Sequence, residues 1–326
     1  MKIAILKLSA MGDIIQSAFI LQFLKQHISN IDIDWIVEEG FKDILKHNPD
    51  ITNIKTVNLK SIKKSPLNIF RQIRLLKEYS KENYDVIIDL QGLIKSAISG
   101  KILSSNLYGY DKNSVREKAA ALLYKKDFNI PYHINTIDRY RLLINQAFNI
   151  DITKGDILNK KPYISYSSDD KGQIDQYISK DRKNILFIIG ASWDSKIYPK
   201  EKVANVIKEI DANIIVPYSN DKEFEFVSYL KDVTPVKLNI NQLSALISIV
   251  DLVIGNDTGP TYIAWANNIP SITLFGPVPP TRIYETDINK LLKSPSKVDP
   301  YKLNREDYSI QYIKEEDILK LVKELL

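Results

Sequence analysis

The sequence predicts an α/β protein of two similar halves, each built on a parallel sheet, that face one another across a central cleft. Strand-like and helix-like segments alternate along almost the whole chain, which is typical of parallel sheets with crossover helices. The alternation is interrupted once, at about residues 151–182, where the chain is polar and rich in turn residues. A length of 326 residues also suits two medium-sized domains better than one.

The first half contains three predicted strands and four predicted helices. Short segments rich in β-branched residues predict strands at 2–8, 31–37 and 84–90. Apolar residues at helical spacing predict helices at 13–27, 65–82, 114–126 and 135–148. With the interruption that follows, this pattern predicts one domain at residues 1–155 and a second at residues 156–326.

The second half repeats the alternation. Buried strands are predicted at 183–190, 212–218, 251–256 and 271–277. A helix is predicted at about 199–210, and a charged helix follows the strand at 212–218. With two α/β halves of this kind, the natural ligand site is the cleft between them.

Composition indicates a soluble protein of a reducing compartment. Apolar residues make up 44% of the chain and charged residues 26%, and there is no cysteine. No run approaches the roughly 18 apolar residues that a membrane span needs. The N-terminal apolar run is interrupted by Lys7, unlike the apolar core of a secretion signal. We therefore expect a cytoplasmic protein.

Basic side chains are concentrated in segment 55–77, which holds seven Lys or Arg residues and no acid. Clustered positive charge attracts phosphate groups, whether of a nucleic acid, an anionic membrane surface or an acidic substrate. A solvated helix face explains the same charges equally well. Because no recognition module or aromatic interleaving accompanies them, we expect no nucleic-acid partner.

The stretch K-L-S-A-M-G-D-I-I-Q-S at residues 7–17 follows the first predicted strand directly. It is consistent with a strand-to-helix turn that has Gly12 as its pivot and Asp13 as the helix N-cap. A carboxylate at the carboxyl end of a parallel strand also lies where open α/β sheets keep their active sites. Asp13 is therefore a candidate for both roles.

Two stretches of the second half also follow buried strands. G-N-D-T-G-P at 255–260 opens an apolar helix with proline in its first turn, where exposed N–H groups form an anion site and Asp257 can hold a sugar hydroxyl. In G-A-S-W-D-S-K at 190–196, Ser192 and Lys196 offer a hydroxyl and a cation to a diphosphate. The alternatives are a capped helix without ligand and an ordinary exposed lysine.

Other classes of site are disfavoured. The dinucleotide motif G-x-G-x-x-G after the first strand and the P-loop motif G-x-x-x-x-G-K-[ST] are both absent. A single D-T-G triplet in an α/β setting does not make an aspartic protease. Asp32 and Asp34 resemble a D-x-D metal motif, but their alternation with apolar residues predicts the solvent face of a strand. We predict no metal site, because the three histidines share no ligand spacing.

Five motifs occur in the order found in the bacterial lipopolysaccharide heptosyltransferases. They are K-L-S-A-M-G-D at 7–13, D-L-Q-G-L-I-K-S-A at 89–97, S-W-D-S-K-I-Y-P at 192–199, N-D-T-G-P at 256–260 and F-G-P at 275–277. Over nearly its whole length the chain resembles these enzymes, which form glycosyltransferase family 9 and have the two-domain GT-B fold. The first two motifs are most similar to those of the heptosyltransferase I group.

The resemblance implies a reaction and its partners. L-glycero-D-manno-heptose would move from ADP-heptose to the inner Kdo of Kdo2-lipid A, with inversion and without a metal. ADP-heptose is then a co-substrate, and no cofactor is expected. The first domain would bind the acceptor and the second the donor, with the protein peripheral to the cytoplasmic face of the inner membrane.

The resemblance also implies roles for individual residues. Asp13 matches the catalytic base that takes the proton of the attacking Kdo hydroxyl. The donor contacts are matched by Ser192, Lys196, Ser219, Asp257, Thr258, Gly259 and Tyr262. The acceptor contacts are matched by Lys7, Ser9, Met11, Gly12, Lys60, Lys63, Lys64, Gln91 and Arg116. Two positions depart from the pattern, since Tyr262 replaces the usual histidine and Ser219 replaces a glutamate of some relatives.

Two rival functions are separable by experiment. Another GT-B enzyme, such as a different core-sugar transferase or a nucleotide-sugar epimerase, shares the architecture. An epimerase would turn over a free UDP-sugar without any acceptor. A nucleic-acid binder, suggested by the sequence pI of about 8.9, would lose affinity steeply with salt.

Overall fold

The computed structural model describes residues 1–326, which divide into two compact units, Met1–Tyr163 and Ile164–Leu326. The division therefore falls eight residues beyond the end of the predicted first domain. Contacts within the first unit explain this position, because Tyr163 donates its hydroxyl to Ile15 O at 3.0 Å and accepts a bond from Asn48 Nδ2 at 2.8 Å. None of the helices is long and apolar enough to cross a membrane.

The first unit contains a six-stranded parallel sheet with the strand order β3-β2-β1-β4-β5-β6. Its strands are β1 (Lys2–Leu6), β2 (Asp32–Glu38), β3 (Asn53–Val57), β4 (Val86–Asp89), β5 (Leu107–Tyr110) and β6 (Lys126–Phe128). Its helices are α1 (Met11–Ala18), α2 (Ile20–His27), α3 (Ser61–Lys64), α4 (Asn68–Tyr79), α5 (Ile94–Leu103), α6 (Thr136–Phe148) and α7 (Lys154–Leu158). This strand order is that of a dinucleotide-binding fold, with a topological switch point between β1 and β4.

The second unit repeats the topology with the order β12-β11-β10-β7-β8-β9, and all its pairs are parallel. Its strands are β7 (Asn184–Ile188), β8 (Asn213–Pro217), β9 (Val233–Val236), β10 (Leu252–Asn256), β11 (Ser271–Phe275) and β12 (Asn289–Lys293). Its helices are α8 (Ser168–Gly172), α9 (Lys200–Lys208), α10 (Asp221–Tyr229), α11 (Ile240–Ile247), α12 (Gly259–Ala266) and α13 (Glu315–Leu325). The equivalent switch point lies between β7 and β10.

Two helix predictions need correction. The single helix predicted at 13–27 is two helices, separated at Phe19 and beginning at Met11. The helix predicted at 114–126 is a short 3-10 helix, Lys118–Leu123, followed by β6. The chain is extended at residues 126–128 because these residues pair with β5, with Lys126 opposite Tyr108.

The polar face predicted for Asp32 and Asp34 is wrong for Asp34. Asp32 is exposed, but Asp34 is fully buried and accepts bonds from Asn53 Nδ2 at 2.9 Å and Tyr84 Oη at 2.7 Å. Burial, together with the bond to Asp34, raises the pKa of Tyr84. Because β2 lies inside a sheet covered on both faces, its acid must be paired with donors rather than exposed to solvent.

Glu82, at the end of the 3-10 helix Ser80–Glu82, joins two strands of the first unit. Its carboxylate bonds Lys2 Nζ of β1 and, at 2.6 Å, Lys55 Nζ of β3. These bonds lower the pKa of Glu82 to about 2 from the ordinary 4.5. The pKa of Glu82 is lower in the folded state than in the unfolded state. The two ion pairs therefore stabilise the fold fully above the ordinary pKa of 4.5, and this stabilisation is lost as the pH falls towards the folded-state value.

We therefore expect Glu82→Gln to lower the melting temperature at pH 7. The difference in melting temperature from the wild type is expected to become smaller as the pH falls from 4.5 towards 2. Thermal unfolding of both proteins across this range measures the difference. Glu78→Gln is the control, because Glu78 is an exposed acid on the preceding turn. A melting difference that stays constant down to pH 2 would contradict the assignment.

Candidate active site

Five of the predicted residues of the first unit lie on the two connections at its switch point. Ser9, Met11, Gly12 and Asp13 follow β1, and Gln91 follows the neighbouring β4. Gln91 Oε1 accepts bonds from the backbone N–H groups of Leu8 and Ser9, each at 3.2 Å. The connections leaving β1 and β4 are therefore tied together at the edge of the sheet where ligands bind in this topology.

Asp13 is the third residue of α1 rather than its N-cap. The helix begins at Met11 with Ala10 as N-cap, and Asp13 Oδ2 accepts the Ala10 N–H at 3.2 Å. The prediction of Asp13 as N-cap is thus wrong in position, although the carboxylate does satisfy a donor at the helix start. The side chain is half-buried, so it is held at the helix terminus and still reachable from solvent.

Lys7 is a buried lysine on which the Asp13 carboxylate acts electrostatically. It is only 4% exposed; its Nζ donates to Leu90 O at 3.1 Å and lies 5.0 Å from the centroid of the Tyr140 ring. Burial lowers the pKa of Lys7, while the Asp13 carboxylate is the largest influence in the opposite direction. Lys7 is therefore built into the interior of the site, unlike the other predicted acceptor lysines.

Asp89, at the end of β4, organises the second loop of this site and was given no role by the sequence analysis. Its buried carboxylate accepts the backbone N–H groups of Gln91 at 2.8 Å and Gly92 at 3.1 Å, and the hydroxyls of Ser96 and Tyr124 at 2.8 Å. Burial raises the pKa of Asp89, and these four donors oppose the change. Gly92 has a φ of 67°, a conformation that glycine adopts without strain.

The remaining predicted acceptor residues lie on two segments. Lys60, Lys63 and Lys64 are exposed around α3, and Arg116 is exposed on the connection that follows β5. Lys60 Nζ lies 4.7 Å from the centroid of the Phe41 ring. Glu38, at the end of β2, is a buried acid that sequence reasoning missed. Burial raises the pKa of Glu38 above its ordinary value, and the charges of Lys95 and Lys60 oppose this change.

An ion pair occupies the switch point of the second unit. Lys196 Nζ lies 2.5 Å from Asp257 Oδ2, and both side chains are almost completely buried. Asn256 ties the two connections together, because its Nδ2 donates to Ile189 O at 2.8 Å and its Oδ1 accepts from Tyr198 N at 3.1 Å. The structure thus brings the predicted Lys196 and Asp257 together, whereas Ser192 is exposed on the loop after β7.

Helix α12 begins where the sequence predicts. Thr258 is its N-cap residue, Gly259 is the first helical residue and proline follows in the first turn. The first N–H groups of a helix lack intrahelical partners and attract anions. Gly255 lets this helix approach β7, since a Cβ there would lie 2.6 Å from both Ile188 Cβ and Thr261 Oγ1. Tyr262 is buried in the first turns, and its hydroxyl has no hydrogen-bond partner.

Ser219 is accompanied by a glutamate that the sequence analysis missed. Glu223 Oε2, on α10, accepts the Ser219 N–H at 2.7 Å and the Ser219 hydroxyl at 2.9 Å. The other oxygen of this carboxylate extends over Gly190 in the loop after β7, where a Cβ would lie 2.5 Å from Oε1. Glu223, one helical turn after Ser219, therefore places a carboxylate beside Ser219 on the connection that follows β8.

Comparison with known protein sequences gives one family. The model of glycosyltransferase family 9 (heptosyltransferase) matches residues 72–299. Lipopolysaccharide heptosyltransferase 1 of Campylobacter coli is 40% identical over 343 aligned positions, which cover 100% of this chain and 99% of that protein. The protein of the same name from Escherichia coli K12 is 26% identical over 296 positions, covering 86% of this chain and 89% of its own.

Comparison with solved structures gives the same fold. The E. coli heptosyltransferase WaaC with ADP-2-deoxy-2-fluoro heptose matches with a TM-score of 0.79 and 22% identity, over 99% of both chains. E. coli ADP-heptose lipopolysaccharide heptosyltransferase II matches with a TM-score of 0.78 and 17% identity, over 100% of this chain and 98% of its own. The predicted GT-B class of two Rossmann-like domains is confirmed. By its family match and its full-length similarity, the chain belongs to glycosyltransferase family 9, the heptosyltransferases.

Proposed function

We propose that this enzyme transfers L-glycero-D-manno-heptose from ADP-heptose to the inner Kdo of Kdo2-lipid A, with inversion and without a metal. The observation that carries the proposal is the position of Asp13, a half-buried carboxylate at the switch point of the first sheet, on a chain similar over its full length to a lipopolysaccharide heptosyltransferase 1. The switch point is where this topology binds ligands.

In the proposed reaction Asp13 acts as the general base. A carboxylate oxygen takes the proton of the attacking Kdo hydroxyl while that hydroxyl oxygen forms a bond to C1 of the heptose. The bond between C1 and the β-phosphate oxygen breaks, and ADP leaves with the electron pair. Because the nucleophile enters opposite the leaving group, the configuration at C1 inverts.

The second unit offers groups that suit the ADP portion of the donor. The start of α12 and the Lys196 ammonium are positive where the diphosphate gains charge on departure. Asp257 can accept a hydrogen bond from a heptose hydroxyl, and Glu223 beside Ser219 can accept bonds from the ribose hydroxyls. Since these groups supply the positive charge themselves, we propose that the reaction needs no divalent cation.

The acceptor is anionic, and the first unit is suited to it. Kdo2-lipid A carries phosphates and Kdo carboxylates, and Lys60, Lys63 and Lys64 are exposed on one short segment after β3. Clustered cations of this kind raise the local concentration of an anionic substrate. The acceptor is a membrane lipid, so we propose that the enzyme works peripherally at the cytoplasmic face of the inner membrane.

ADP release from ADP-heptose, measured with and without Kdo2-lipid A and with and without EDTA, tests this proposal. We expect release only when both substrates are present, an unchanged rate in EDTA, and an acceptor heavier by one heptose in mass spectrometry. Release without acceptor, or turnover of a free UDP-sugar, would indicate another reaction on this fold. A rate abolished by EDTA and restored by a divalent ion would overturn metal independence.

A further inference from the structure

The first unit exposes large apolar side chains on three neighbouring elements. Leu67 and Phe70, at the start of α4, are 73% and 69% exposed, and Leu122 of the 3-10 helix Lys118–Leu123 is 85% exposed. Ile94 and Ile98 of α5 are also exposed. Helix α5 packs against both α4 and this 3-10 helix. We call these five side chains the apolar face.

The phase of the two helices places the apolar face away from the sheet. Leu76 of α4 and Leu103 of α5 are buried in one hydrophobic cluster with residues of the central strands. Leu67 and Phe70 are three residues apart and Ile94 and Ile98 four apart, so each pair shares one side of its helix. Exposed apolar groups clustered in this way mark an interaction surface in a water-soluble protein.

Exposed basic residues lie on the elements that carry the apolar face and on those next to them. The exposed cations on the same and adjoining elements are Lys60, Lys63, Lys64, Arg71, Arg74, Lys77, Lys95, Lys101 and Lys118. No acid occurs between residues 55 and 77 or within α5. The acids next to these segments are Glu78 of α4 and Glu117, which accepts the Ile94 N–H at 2.8 Å. Apolar tips bordered by lysine and arginine match the chemistry of a bilayer surface, in which acyl chains lie just below anionic headgroups.

We propose that the apolar face docks on an anionic lipid bilayer, with Leu67 and Phe70 inserted among the acyl chains and the surrounding cations on the headgroups. This deepens the proposed function, in that it names the surface by which the enzyme meets the membrane. The charge complementarity favours lipid over a second copy of this chain, because two such basic faces repel one another.

Vesicle binding without donor or acceptor tests the docking independently of transfer. We expect the wild type to bind phosphatidylglycerol-containing vesicles and to bind pure phosphatidylcholine vesicles at least tenfold more weakly. Leu67→Ser/Phe70→Ser is expected to lose at least tenfold in affinity for the anionic vesicles. Arg71→Gln/Arg74→Gln is expected to lose about fivefold for each arginine. Leu158→Ser/Tyr312→Ser, which removes exposed apolar groups elsewhere, is expected to bind as the wild type does.

A direct readout of insertion uses Phe70→Trp. Its emission is expected to shift to the blue with anionic vesicles and to be quenched by brominated acyl chains, over a background from the two buried tryptophans and Trp193. The proposal would be overturned if Leu67→Ser/Phe70→Ser bound anionic vesicles as tightly as the wild type does. It would also be overturned if the wild type formed a dimer and this variant did not. ADP release with both substrates in detergent is measured separately, so a failure of docking is distinguishable from a failure of the proposed reaction.

Discussion

Asp13→Asn is expected to lower kcat for heptose transfer by a factor of about 10²–10⁴, the range that a general base contributes. Asparagine has the same size and still offers an oxygen to the Ala10 N–H, which donates to Asp13 Oδ2 at 3.2 Å. The start of α1 is therefore kept. The neutral amide cannot take a proton from the acceptor hydroxyl, so the chemical step loses its base while ADP affinity stays unchanged.

The matched control for Asp13→Asn is Asp156→Asn. Asp156 is also the third residue of its helix, α7, and its Oδ2 accepts the backbone N–H of the N-cap Thr153 at 2.8 Å. This control alters the same capping contact away from the site, so steady-state ADP release is expected to match the wild type. If Asp13→Asn retains full activity, Asp13 serves the helix start alone and the base is another residue.

The parallel strands at the centre of each sheet could be predicted because burial on both faces produces continuous apolar runs. β1, β7 and β10 are of this kind, and the site residues that follow them were found by the rule that ligands bind at the carboxyl ends of strands. Outer strands such as β3 and β12 were not predicted, because they are short and partly polar. They are extended because they pair with a neighbouring strand.

The site residues that could not be predicted from the sequence are acids. Their hydrogen-bond partners are distant in sequence or come close only when a turn or helix forms. Asp89 holds Tyr124, 35 residues away, and its role depends on the turn through Gly92. Glu223 reaches back to Ser219 only because α10 begins between them. Local sequence carries no mark of such contacts, and a carboxylate at a strand end or on a helix surface is ordinarily solvated.

Lys196→Met is expected to lower the free energy of unfolding by about 3–5 kcal/mol, because it leaves the buried carboxylate of Asp257 without its cation. The two side chains are 10% and 4% exposed and their charged atoms are 2.5 Å apart. Lys222→Met is the control, since its 2.7 Å pair with Asp194 is 68% and 66% exposed and is expected to contribute at most about 1 kcal/mol. Urea unfolding of each variant measures these losses.

The double variant Lys196→Met/Asp257→Asn separates the two roles of Lys196. Removing the buried charge together with its partner is expected to restore most of the stability lost in Lys196→Met. ADP affinity is measured by calorimetry on the folded double variant. It is expected to stay at least tenfold below that of the wild type, because the ammonium of Lys196 no longer contacts the diphosphate of ADP. The buried pair then holds a cation in place for the leaving group. A double variant that regains both stability and ADP affinity would show instead that Lys196 serves only to neutralise Asp257, and that the start of α12 binds the diphosphate without it.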